Sequence, residues 1–427
     1  MHPFDWIESP ALREKYICCR HSSGLTLMLY PNRAYSSVTA CYSAHYGSAD
    51  NLFVPAPGEK PVAVPEGIAH FLEHKLFEDE DGDAFEKFGR TGAFANAFTS
   101  FDKTAFYFTC TDRFRENLEI LLNFVQSPYF TAETVQKEQG IIGQEIRMYD
   151  DDPDWQVLFG MLQGMYARHS IRIDTAGTVE SIARITPELL YSCYRTFYRP
   201  GNMVLSVAGN FDPETVLSCC DRLIRPAEPF EVQRMQEEEP VQPLTGRKVR
   251  RMPVSKPQFC IGFKQEPAAD ESDRLRDFIL DKLASNCLYG DTTDFYRRHY
   301  QSGLINSCFG SSVWEGTGFL TLLCEGESDD CDAVAAAMQE RIRETAEKGI
   351  DPDILEGARR AAFGKQVSLF ADPSELAMQM VDACFGGYSL FATSDLLRSV
   401  RPEEVNRFIQ TRLDPERITV SILQSEA

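Results

Sequence analysis

The segment FLEHKLFEDEDGDAFEKFGRTGAFANAF, residues 71–98, can be laid over LASNCLYGDTTDFYRRHYQSGLINSCF, residues 283–309. Each reads as a helix ending in leucine and an aromatic residue, an Asp-rich turn, an aromatic helix, a glycine and then a strand. RPGNMVLSVAGNF (199–211) has a similar counterpart in DPERITVSILQS (414–425). A spacing of roughly two hundred residues is far longer than a solenoid repeat, so it marks a duplicated domain. The 427-residue length agrees, because a single hydrophobic core stops growing well short of it. Between the copies, PAEPFEVQRMQEEEPVQPLTGRKVRRMPVSKP is rich in proline and charge and keeps no periodicity, which reads as a linker over 226–257. The expected domains are therefore 1–225 and 258–427.

Strand and helix signals alternate in the first copy. GLTLMLYPN and SSVTACYSAHYGS alternate apolar and polar residues and are rich in Val, Thr and Tyr, and TAFYFTC (104–110) reads as a further strand. Ile68, Phe71, Leu72 and Leu76 recur with helical spacing. Asp112 is a good cap for the helix that ends against Pro128, and a long helix is expected from about Ala132 to Tyr149. Thr186–Pro187 and Asp212–Pro213 each place a cap before a proline at the first helical position. Together these give an α+β fold: two homologous domains, each a mostly antiparallel sheet packed with helices.

Charge removes several function classes. The 43 Lys and Arg stand against 64 Asp and Glu, a formal charge of −21, which repels nucleic acid and anionic membrane surfaces. No apolar run reaches the roughly eighteen residues of a membrane span. MHPFDWIESPALREKY has no basic region followed by an apolar stretch, so no signal peptide is expected. Thirteen cysteines are scattered without a CxxC pair and read as reduced, mostly buried thiols in a cytoplasmic protein.

Within GIAHFLEHKLFEDEDGD (67–83), His70, Glu73 and His74 fall in five positions. Residues i and i+4 of a helix share a side, so both histidines can aim a nitrogen at one ion, and Glu73 can reach a water on it. The order H-x-x-E-H is the inverted zincin motif, with glutamate as general base. A hydrolytic zinc needs a third protein ligand, and ETVQKEQGIIGQEIRMYDDD offers Glu138 and Glu145, seven residues apart on one helix face. Three fixed residues in five positions arise by chance in on the order of one chain in a hundred of this length. Taken alone, Glu138 and Glu145 read as a solvated face.

GIAHFLEHKLFE, ANAFTSFDKTAFYF, EQGIIGQEIRMYDDDP and AGTVESIARITPELLYSCYRTFYRPGNMVLSVAGNFD together resemble the insulysin/pitrilysin family of zinc peptidases. In size the chain is similar to the half-length branch that includes the mitochondrial processing peptidase β-subunit. The resemblance covers nearly all the chain and is strongest over 60–215. It implies half of a clam-shell with one Zn2+ per chain, held by His70, His74 and Glu145. Glu73 would activate the water, Glu138 would orient a ligand, and Asn96, Ala97 and Phe98 would line the substrate strand. The implied activity is endopeptidase cleavage of unstructured peptides or short precursors; the alternative is an assembly or peptide-binding subunit that retains a relic site.

Other histidines and acidic runs read more plainly. His169 reads as structural, His45 and His299 as core or surface residues, and His2 and His21 carry no signal. The acidic runs 78–83 and 150–154 lack calcium-loop spacing and read as caps and turns. Proteases of the family also use an arginine and, seven residues later, a tyrosine to hold substrate. RRHYQSGLINS puts His299 and Asn306 at those positions, and a shift to Arg297 or Arg298 brings no tyrosine into register. A homologous chain is therefore expected to supply the pair in a heterodimer, in preference to a homodimer.

Overall fold

The computed structural model describes residues 5–79, 82–268 and 270–426. Within the run 78–83, residues 80 and 81 lie outside the described residues, as does His2. The chain forms two compact units, and each draws on both halves of the sequence. The first comprises the residues up to Ile146, Asp174–Met235 and Val367–Phe391; the second comprises Arg147–Ile173, Gln236–Gln366 and the residues from Ala392 onward.

The first unit is built on a seven-stranded sheet. Its strands are β1 (Trp6–Ser9), β2 (Glu14–Arg20), β3 (Thr26–Pro31), β4 (Val38–Ala44), β5 (Phe94–Thr99), β6 (Thr104–Cys110) and β7 (Met203–Gly209). They lie in the order β1-β2-β3-β7-β4-β6-β5, with only β3 and β7 parallel. One face packs against α1 (Ile68–Leu76) and the helices Phe114–Val125, Pro187–Phe197 and Pro213–Leu223, through Phe71, Leu72, Leu121 and Leu190. The opposite face is covered by the helix Pro373–Phe385, whose Leu376, Met380 and Val381 meet Met28, Cys41 and Val204. Because both faces are covered, every residue of β4 and β7 is buried. The polar positions of the alternation, such as Thr39, Ser43 and Ser206, are paid for by hydrogen bonds: Thr39 Oγ1 meets Ser374 Oγ at 2.9 Å, and Ser206 Oγ donates to the Ala377 carbonyl at 2.8 Å.

The second unit has a five-stranded sheet: β8 (Arg247–Met252), β9 (Gln258–Gln265), β10 (Gly310–Gly316), β11 (Phe319–Glu327) and β12 (Ile418–Ser425). Their order, β8-β12-β9-β11-β10, repeats β3-β7-β4-β6-β5 of the first unit, down to the single parallel pair. The helix Pro153–Met165 packs on β9 and β12. Gly262 makes the approach possible: a Cβ there would lie 2.5 Å from both Met161 Sδ and Met165 Cε. Each sheet thus receives its covering helix from the other half of the chain. β8 arises inside the proline- and charge-rich stretch 226–257, as an edge strand whose residues are exposed or half-buried except Met252.

The capped starts at Thr186 and Asp212 form, each side chain accepting a backbone N–H of the first turn, and the long helix runs from Ala132 to Asp150. One expected cap differs. The helix begins at Phe114 with Arg113 in the left-handed region as its cap, and Asp112 Oδ1 accepts from Arg113 N at 2.7 Å instead of from the helix.

Candidate metal centre

The start of α1 is fixed by backbone shape. Gly67, at φ 85°, precedes the helix, and a Cβ on it would stand 2.3 Å from the Ala176 carbonyl oxygen. A Cβ on Gly177 would stand 2.5 Å from the Glu66 carbonyl oxygen, and Ser181 Oγ donates to that same oxygen at 2.8 Å. Ile68, Phe71, Leu72 and Leu76 are buried, so His70, Glu73 and His74 are turned along the side left over. Antiparallel pairing places β5 at the sheet edge beside α1, and α2 (Ala132–Asp150) brings Glu138 and Glu145 to the same place.

His70 Nε2 stands 3.7 Å from Glu145 Oε1 and His74 Nε2 stands 3.6 Å from Glu145 Oε2. One donor atom from each of the three falls within 4.8 Å of the others, and among the described residues no other group of three His, Cys, Asp or Glu closes in this way. Ligands about 2.0–2.2 Å from a tetrahedral ion stand roughly 3.3–3.6 Å apart, so the spacing suits a shared ion better than direct hydrogen bonds. His74 Nδ1 is 3.0 Å from Glu138 Oε1, which leaves Nε2 as its free nitrogen. Glu73 takes no part in the triad; its Oε2 accepts from Thr99 Oγ1 at 2.6 Å.

Burial sets the electrostatics. It pushes His70 down to about 3, helped by neighbouring His74, so the imidazole is neutral and its lone pair available. Burial pushes Glu73 up to about 7, against the pull of Thr99 and His74. Burial also works against a proton on His74, but the hydrogen bond to Glu138 and the charges of Glu73, Glu138 and Glu145 outweigh it and raise its pKa. Two imidazoles and a carboxylate, with a further carboxylate orienting one ring, are the donors a zinc ion takes.

Asn96, Ala97 and Phe98 lie on β5, opposite Tyr107, Phe106 and Ala105 of β6. Alternation along the strand sends Ala95 and Ala97 into the core that contains α1 and sends Phe98 to the opposite face. Thr99 shares the parity of Ala97, which is how it reaches Glu73. That residue was missed from sequence, although its place in ANAFT on the α1 side of an edge strand was a usable signal.

The other histidines among the described residues are hydrogen-bonded or packed against rings within the fold. His169 Nε2 meets the Thr317 carbonyl at 2.9 Å and its Nδ1 accepts from Ile171 N. His45 stacks on Phe385, and His21 pairs with Asp221 at 3.0 Å. His299 packs edge-on against Phe295, Asn306 Nδ2 donates to Glu327 Oε2 at 2.7 Å, and Arg297 is paired with Asp294. Asp152 caps the helix Pro153–Met165, so that acidic run ends in a cap. All thirteen cysteines are free thiols. No helix among the described residues is long and apolar enough to cross a membrane.

Known proteins match this chain along most of its length. Residues 64–178 match the model of the insulinase family, peptidase family M16, and residues 184–362 match the model described as the peptidase M16 inactive domain. A relative from Bacillus subtilis (strain 168), described as the uncharacterized zinc protease YmfH, is 38% identical over 419 residues, 97% of either chain. This chain belongs to the insulinase family. The crystal structure of a putative M16-like peptidase from Alicyclobacillus acidocaldarius is similar to it, with a TM-score of 0.93 and 32% identity over 98% of this chain and 100% of that one. A protease from Helicobacter pylori shares the fold at 16% identity, with a TM-score of 0.82 over 96% and 99% of the two chains. Within the insulinase-family match of 64–178 lie all five clustered residues, from His70 to Glu145.

Proposed function

We propose that this insulinase-family chain is a zinc-dependent endopeptidase acting on extended, unstructured peptides, with one Zn2+ held by His70, His74 and Glu145. The observation that carries the reading is the convergence of those three donors, with Glu73 beside them and outside the triad. A zinc ion there would supply Lewis acidity, acidifying a water to a pKa of about 7 and polarising the scissile carbonyl.

The chain's own residues do the rest. Glu73 accepts the water's proton and returns it to the leaving amine. Glu138 fixes the ring of His74 through Nδ1. The free edge of β5 pairs with substrate backbone, and strand addition of this kind selects extended segments over folded ones. The second unit lacks an arginine and tyrosine at the expected spacing, which supports a homologous partner chain supplying that pair.

The test uses internally quenched peptides and zinc quantified per chain. Zinc-loaded wild type with its co-purifying partner should cleave, and Glu73→Gln should keep its zinc while losing cleavage by at least about 1,000-fold. A wild-type chain that holds zinc and binds peptide without cutting it, alone or with co-purifying partner, would instead identify a peptide-holding subunit.

A further inference from the structure

The hydrogen bond behind Glu73 does more than satisfy a buried carboxylate. Thr104 Oγ1 spends its one proton on the Tyr46 carbonyl, 2.9 Å away, so toward Thr99 it can only accept. Thr99 Oγ1 therefore has two acceptors to choose from: Glu73 Oε2 at 2.6 Å and Thr104 Oγ1 at 3.4 Å. The shorter, charge-assisted bond wins, and the Thr99 hydroxyl points at Glu73. Thr99 is also the last residue of β5, the strand whose edge is free.

We infer that Thr99 is a positioning residue for Glu73: its hydroxyl anchors Oε2, leaves Oε1 as the oxygen that exchanges the proton, and ties the base to the strand that presents the peptide. This inference rests on reading Glu73 as the general base. Glu73 gains a fixed carboxylate plane, and the distance from base to peptide backbone becomes a property of one strand. The second unit also ties a helix to its edge strand, through Ser285 Oγ and Ser311 Oγ at 2.8 Å, a bond between two hydroxyls with no carboxylate in it. Such ties thus occur in this fold without chemistry, and that pair supplies a matched control for a merely structural role.

The experiment measures kcat, KM, zinc content and thermal unfolding for wild type, Thr99→Val, Thr99→Ser and Ser285→Ala on a quenched peptide. Thr99→Val, which keeps the shape and loses the donor, should lower kcat roughly 10- to 100-fold, the worth of a hydrogen bond to a charged group, with KM and zinc unchanged. Thr99→Ser, which keeps the donor, should recover kcat to within about 3-fold of wild type, and Ser285→Ala should leave kcat within about 2-fold. The inference is overturned if Thr99→Val keeps the wild-type kcat, if Thr99→Ser is as slow as Thr99→Val, or if the loss falls on KM. A wild type that stays inactive even with its co-purifying partner would overturn the endopeptidase reading first, a distinct result.

Discussion

Replacing Glu138 by alanine removes the acceptor that His74 Nδ1 uses, 3.0 Å away, and leaves all three proposed zinc ligands in place. Outer partners of ligating histidines are worth about 10- to 100-fold in metal affinity, or roughly 1.4–2.7 kcal/mol. The structure narrows that range. The His74 side chain is 26% exposed, so water can take over part of the lost role, which points to the lower half, about 10- to 30-fold. His70 cannot compensate, because its own Nδ1 is buried with no hydrogen-bond partner among the described residues. Glutamine at 138 keeps an acceptor oxygen but loses the charge, so about 3- to 10-fold is expected for Glu138→Gln. The assay is competition for zinc against a chromophoric chelator at fixed pH, with circular dichroism confirming the fold. Affinity in Glu138→Ala within about 2-fold of wild type would refute the reasoning, since orientation of His74 would then not depend on that carboxylate.

Three further outcomes follow from particular contacts. Gly67→Ala should destabilise the first unit by about 2–4 kcal/mol in urea unfolding, because φ 85° and a 2.3 Å approach to the Ala176 carbonyl both penalise a Cβ. Met380→Ala should cost about 2–5 kcal/mol and weaken hydrogen-exchange protection in β4 and β7, although residue 380 lies far along the chain from both; unchanged protection there would contradict the helix exchange. Asp281 is fully buried, its Oδ1 lacks a partner, and burial pushes its pKa to about 7. Between about pH 4 and pH 7 the folded form holds a proton the unfolded chain releases, so stability falls as pH rises through that window. The advantage of Asp281→Asn in Tm should therefore be larger at pH 8 than at pH 5; an equal difference at both would count against it.

Much of the site was legible because helix geometry turns spacing into direction. His70 and His74 at i and i+4, and Glu138 and Glu145 at i and i+7, are each constrained to one face before any tertiary information exists. That the two helices meet is a tertiary fact, and residue spacing alone left Glu138 and Glu145 as a solvated face. Thr99 stayed hidden because a threonine closing a strand is ordinary until the helix beside it is known. β8 was illegible for a different reason: RKVRRM is an edge strand with solvent on most of its side chains, so no period-two apolar pattern was required of it. The exchanged helices Pro153–Met165 and Pro373–Phe385 carry ordinary caps and apolar faces. Nothing in those residues says which of two similar sheets each will cover.

The duplication explains why a chain with two similar sheets has one candidate metal centre among its described residues. The order of five strands and the single parallel pair among them are the same in both units, so the backbone alone does not make the site. Where the first copy has Glu73 and His74, the second has Ser285 and Asn286, and those side chains do what a structural position asks of them. Ser285 bonds the edge strand through Ser311, and Asn286 Nδ2 donates to the Lys282 carbonyl one turn back. Burying three carboxylates and two imidazoles together costs free energy that apolar or small polar residues avoid, and the costs already show in the displaced pKa values of His70 and Glu73. A cation would offset that cost in the first unit, and the second unit has none to offset. If so, chelation should lower the thermal stability of the first unit and leave the second unchanged. Hydrogen exchange of α1 and β5 against β9 and β12, with and without zinc, would separate the two, and equal loss of protection in both sheets would show that the donors are not what distinguishes them.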